Sequence, residues 1–100
     1  MYGYLRVTGG QPDEEILGIE RDLATFAEVE GFCFGEIFHE FECGSQRAFL
    51  ALVEELRRSA ARDVVVPSTE HLAHNPVLRS VMLTSLRYWA DARVWALDRS

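Results

Sequence analysis

Asp63-Val64-Val65-Val66-Pro67 is the stretch that decides the fold. Three consecutive β-branched residues favour a strand. A strand that is apolar at every position, not every second one, is buried on both faces. Sheets of that kind are parallel and carry helices on both sides. Pro67 lacks an amide hydrogen and ends the run. The flanking sequence supplies the helices. On the N-terminal side, Phe49, Leu52, Val53 and Leu56 recur at helical spacing, with Ser45 as the expected cap. On the C-terminal side, Asn75-Pro76 reads as an N-cap and a first-turn proline. Leu78, Val81, Met82, Leu86 and Trp89 are expected to face inward from that helix. Residues 93–97, RVWAL, are expected to form a last strand.

Farther out, residues 2–8, YGYLRVT, are rich in aromatic and β-branched types and predict a strand broken by Gly9-Gly10. Pro12 suits a first helical turn, and Asp13, Glu14 and Glu15 complement the positive end of the helix dipole. Ile16, Ile19, Leu23 and Phe26 form one apolar stripe, and Gly31 is the expected stop. A second strand is expected around Phe34 to Phe38, followed by a loop from Glu40 to Gly44. The order is β-α-β-α-β-α-β. It predicts one α/β domain over residues 1–100: a three-layer sandwich of a four-stranded parallel sheet and three flanking helices. In such sheets functional groups gather at the carboxyl ends of the strands.

The chain carries 16 acids against 10 bases, a net charge of −6, and no lysine. Nucleic-acid affinity comes largely from Lys and Arg releasing condensed counterions, so this balance argues against free-standing DNA binding. No apolar run is long enough to span a membrane, and the N-terminus reads as a strand, not a signal peptide. Cys33 and Cys43 form no CxxC pair and no disulfide framework. A cytoplasmic protein with reduced thiols is expected. His71 and His74 have HxxH spacing and could hold zinc with His39, but surface histidines are the simpler reading, and no metal is expected. Gly9-Gly10 without a fuller phosphate-binding motif, followed by three acids, does not predict a nucleotide site. No cofactor is expected. Arg57, Arg58 and Arg62 are read as charge compensation at a helix C-terminus. Tyr88 and Trp89 are read either as core or as a partner surface.

The first strand end, Tyr4-Leu5-Arg6-Val7-Thr8, resembles the Tyr-x-Arg-Val-Ser signature that opens the catalytic domain of serine site-specific recombinases of the resolvase and invertase group. The resemblance implies the sheet order 2-1-3-4. It also implies that Arg6 clamps a DNA phosphate, that Thr8 stands at the nucleophile, and that Arg47 supplies a second phosphate contact. Glu70-His71-Leu72-Ala73-His74 aligns with the family's Asp-Arg-x-x-Arg, so Glu70 keeps the acid while His71 and His74 replace two arginines.

The substitutions have a physical cost. Attack on a phosphodiester builds charge on the non-bridging oxygens, and preorganised cations must meet it. Arginine is always protonated and offers a planar fork. Histidine is mostly neutral at pH 7. Losing one such stabiliser typically costs about 10²–10³ in rate. Thr8 keeps a hydroxyl but adds a methyl beside it. The expectation is a degenerate, catalytically inactive recombinase-like domain that acts through a protein partner or as a homodimer. DNA would bind weakly or only within a larger assembly. The family's long dimerisation helix and helix-turn-helix domain are not expected within residues 1–100. The alternative is an active or conditionally active resolvase or invertase subunit that uses Thr8, Arg6 and Arg47.

Overall fold

Val64 and Val66 pack on one side of the central sheet and Val65 on the other, and all three are fully buried. The computed structural model describes residues 1–7, 9–41, 46–73 and 75–97. The chain runs β1 (Tyr2–Arg6), α1 (Asp13–Val29), β2 (Ile37–Glu40), α2 (Arg47–Ser59), β3 (Asp63–Val66), a 3-10 turn (Thr69–His71), α3 (Pro76–Ala90) and β4 (Arg93–Ala96). The four strands are parallel throughout, in the order β2-β1-β3-β4. The expected order and layering are therefore those observed.

One core layer joins Val64, Val66 and Tyr4 to Phe49, Leu52 and Leu56 of α2 and Met82 and Leu86 of α3. The other joins Leu5 and Val65 to Ile19 and Leu23 of α1. Burying each β3 valine contributes about 1.5–3 kcal/mol, so this short strand anchors both layers.

Local signals behave as their chemistry requires. Asn75 Oδ1 accepts from the amides of Val77 (2.8 Å) and Leu78 (3.2 Å), opening α3. After α1, the Phe32 amide donates to Ala27 O (2.8 Å) and the Gly31 amide to Glu28 O (3.0 Å). Gly31 takes φ = 84°, the left-handed conformation this paired C-cap demands.

Four expectations shift. β1 ends at Arg6 and leaves Val7 outside the strand, although the Val7 amide still donates to Glu40 O (2.8 Å). β2 begins at Ile37, not Phe34, although the Gly35 amide already donates to Met1 O (2.8 Å) and the Gly3 amide to Glu36 O (3.0 Å). β4 stops at Ala96. Val81 and Trp89 face outward, because the inward row of α3 is Leu78-Met82-Leu86 at steps of four, with Met82 and Leu86 fully buried and Leu78 partly so. The Ser45 cap lies outside the described residues. The N-cap position of α2 is Gln46, whose side chain makes no capping bond.

Ala60 closes α2 with φ = 61°. A Cβ in this region costs about 1–2 kcal/mol. Ala60→Gly is therefore expected to stabilise the protein by about 1 kcal/mol after glycine's greater unfolded-state entropy is subtracted. Thermal unfolding should show a Tm higher by about 4–8 °C. An unchanged or lower Tm would contradict the strain at this position.

Candidate functional site

β1 and β2 pair in register, with Tyr4 opposite Phe38 and Arg6 opposite Glu40. Glu40 is only 2% exposed. Its Oε2 accepts from the Tyr4 hydroxyl (3.2 Å) and from the amides of Ala48 (3.0 Å) and Phe49 (3.2 Å). Those amides belong to the first turn of α2, where helical N–H groups have no partner within the helix and a negative charge is favoured. The first turn of α2 has no acid of its own. Glu40, from the neighbouring strand, supplies it. Tyr4 is held beside Glu40 by its edge-on contact with Phe49, ring centroids 6.0 Å apart.

Arg6 lies on the other side of Tyr4. Its Nη2 donates to the Tyr4 hydroxyl (3.2 Å) and to Leu72 O (2.9 Å), and its Nε donates to His71 O (3.2 Å). The Arg6 backbone amide donates to Nδ1 of His71 (3.3 Å). One arginine thus ties the end of β1 to the 3-10 turn after β3. A ring that accepts at Nδ1 is a neutral imidazole carrying its hydrogen on Nε2. Protonating His71 would turn that acceptor into a donor and break the bond to Arg6.

Burial pushes the Tyr4 phenol well above the ordinary tyrosine range. Glu40 adds to the shift, and the Arg6 charge opposes it. A raised folded-state value means that the fold favours the neutral phenol. That contribution is complete below the unfolded value of about 10 and is lost as pH rises above it. Tyr4 is expected to ionise only with alkaline unfolding. In an ultraviolet titration, Tyr4→Phe should remove only phenolate signal that coincides with the loss of helical circular dichroism. Loss of an earlier component would contradict this.

The structure brings Tyr4, Arg6 and His71 together, and it reaches Arg47 through the backbone of α2. Arg47 is the exposed first residue of that helix, next to the amide held by Glu40. Glu70 is exposed on the 3-10 turn. Thr8 and His74 lie outside the described residues. His39 belongs to the α1 side of the sheet, where its Nε2 meets Glu20 Oε1 at 2.5 Å and its ring stacks on Phe41 at 5.8 Å. Among the described residues no three His, Cys, Asp or Glu side chains form a metal-binding group. Glu40, expected in a loop, is the last residue of β2 and the acid that joins Tyr4 to α2. Its signal was an acid a few residues before a helix whose own first turn has none.

No family model matches the sequence, and no curated protein matches it. Solved structures do. The N-terminal catalytic domain of TP901-1 integrase superposes with a TM-score of 0.77 over 97% of this chain and 75% of that one, at 17% identity. The C-terminal catalytic domain of ISC1926 TnpA, an IS607-like serine recombinase, gives 0.73 over 99% and 70%, at 16% identity. The fold is that of the serine recombinase catalytic domains. The recombinase fold sits here on a chain in which no described helix is long and apolar enough to cross a membrane.

Proposed function

We propose that this recombinase-fold domain is catalytically silent and works through protein contacts. The observation behind it is Arg6. Arg6 is the residue to which the sequence resemblance gives the phosphate clamp, and its guanidinium donates to the carbonyls of His71 and Leu72 and to the Tyr4 hydroxyl. Donors satisfied by the protein's own backbone must give up those bonds before they can meet a phosphate. Glu40 places a carboxylate on the nearby α2 amides, where a bound anion would otherwise be drawn. Threonine at position 8 and histidines at 71 and 74 weaken the same chemistry. The acidic chain disfavours DNA, so duplex binding should be weaker than the ~10⁻⁴–10⁻⁶ M usual for non-specific binders at physiological salt.

The test is incubation with supercoiled plasmid followed by denaturing electrophoresis. The expected result is intact plasmid and no protein-linked strand. A nicked or covalently linked product that disappears in Thr8→Ala would establish the second reading, an active or conditionally active strand transferase with Thr8 as nucleophile. That reading draws its support from the Tyr4-x-Arg6-Val7 stretch followed by a hydroxyl residue, carried on a recombinase fold.

A further inference from the structure

At the opposite end of the sheet, beside the N-termini of β3 and β4, lies an open cleft of about 670 Å³. Arg62, Arg87 and Arg93 line it together with Asp63 and Asp91. Both acids are already engaged: Asp91 Oδ2 with Arg62 at 3.0 Å, and Asp63 Oδ1 with the Trp95 indole N–H at 2.9 Å. Among the described residues, Arg87 and Arg93 have no carboxylate at ion-pair distance. Arg93 lies over the Trp95 ring, 5.5 Å from its centroid.

A second, more apolar hollow adjoins the cleft, and Thr84 lines both. Val81, Tyr88 and Trp89 form its sides, at 54%, 77% and 57% exposure. The Tyr88 and Trp89 rings brace each other edge-on at 5.1 Å, and Arg57 sits over Trp89 at 6.0 Å. Fixed aromatics beside arginines, with little lysine or glutamate between them, are the composition of protein-interface hot spots.

Charge indicates what fits. The cleft carries three arginines against two aspartates, whereas the whole chain carries −6. Interactions between exposed charges fade beyond a Debye length of about 8–10 Å, so a ligand seated here responds to the local excess of arginine. The two aspartates limit how much negative charge the cleft can take. A phosphate backbone brings a charge every few ångströms, whereas a segment with a few carboxylates can place them on Arg87 and Arg93, away from the aspartates, and set apolar side chains against Tyr88 and Trp89.

We propose that the Arg62-Arg87-Arg93 cleft and the Val81-Tyr88-Trp89 hollow form one docking surface for an acidic segment of another protein with apolar anchors. The proposal names the partner chemistry for the protein-contact function above and so rests on it.

Selection of a random displayed peptide library against the full chain tests it. Enriched peptides are expected to combine Asp or Glu with Leu, Phe or Trp. Their affinity should fall about tenfold or more in Arg87→Glu and in Trp89→Ser, the scale of a central hot-spot loss. It should hold in Arg21→Glu, which makes the same charge change on the exposed face of α1. Circular dichroism and Tm of each variant must match the parent, and Arg87→Gln gives a milder change should Arg87→Glu not fold. Several results would overturn the surface: neutral or basic peptides, no enrichment, equal loss in Arg21→Glu, tighter binding of a single-stranded oligonucleotide, or self-association in sedimentation that Trp89→Ser abolishes. Plasmid cleavage alongside acidic-peptide binding would reject the silent-domain reading while leaving the surface standing. Absence of both would do the reverse.

Discussion

Glu40→Leu is expected to lower the unfolding free energy by about 3–5 kcal/mol, the largest single-residue effect away from the apolar core. Glu40 Oε2 meets three donors in a site almost closed to water. Leucine fills similar space but leaves the Tyr4 hydroxyl and two α2 amides without an acceptor. Each stranded buried donor costs about 1–3 kcal/mol. Loss of a helix cap alone typically costs about 1 kcal/mol. For a chain of this size, Tm should fall by about 12 °C or more. Glu40→Gln keeps one carbonyl oxygen and should retain part of the loss. Tyr4→Phe combined with Glu40→Leu should cost less than the sum of the two single changes, because the pair shares one bond. Denaturant unfolding of the four proteins measures this. Full additivity, or a loss below 1 kcal/mol for Glu40→Leu, would mean that Glu40 does not organise this end of the sheet.

Arg6→Met is expected to cost about 2 kcal/mol, less than the full value of its charge-assisted bonds because Arg6 is partly exposed. The carbonyls of His71 and Leu72 lose their donor, and the 3-10 turn is no longer tied to β1. This outcome separates the two functional readings. A residue kept for phosphate chemistry can be removed with little effect on the fold and a large effect on rate. A residue whose donors close onto its own backbone should show the opposite. The measurement is Tm together with amide hydrogen exchange of residues 69–73. Unchanged protection there would show that Arg6 is dispensable to the turn and return it to the role of an available phosphate ligand.

Much of the architecture was legible because it follows from local rules. Val64-Val65-Val66 demands two covered faces whatever surrounds it, and two faces demand the helices that the stripes of α1 and α2 provide. Asn75-Pro76 and Gly31 mark helix ends through bonds that span at most five residues. The site was legible only in part. Tyr4, Arg6 and His71 belong to one sequence pattern, and they do meet. Their bonds were not foreseeable, since whether an arginine reaches a ligand or a carbonyl depends on what the fold places within reach.

The amino-acid order by itself determined the layering, the parallel sense of the sheet and its excess of acid. These depend on the apolar period, the length of each crossover and a count of side chains, none of which needs coordinates. Tertiary structure alone decided the rest. Val81, Tyr88 and Trp89 are apolar residues that a helical wheel can assign to either flank, and only the packing of Leu78, Met82 and Leu86 against α2 and the sheet turned them outward. Glu40 became the cap of α2 because parallel pairing with β1 set it beside that helix's first amides. Arg57, Arg62, Arg87 and Arg93 are scattered over four segments of sequence. They gather at one end because helices antiparallel to their strands bring their own C-termini to the strand starts, concentrating positive charge locally on a chain that is acidic as a whole.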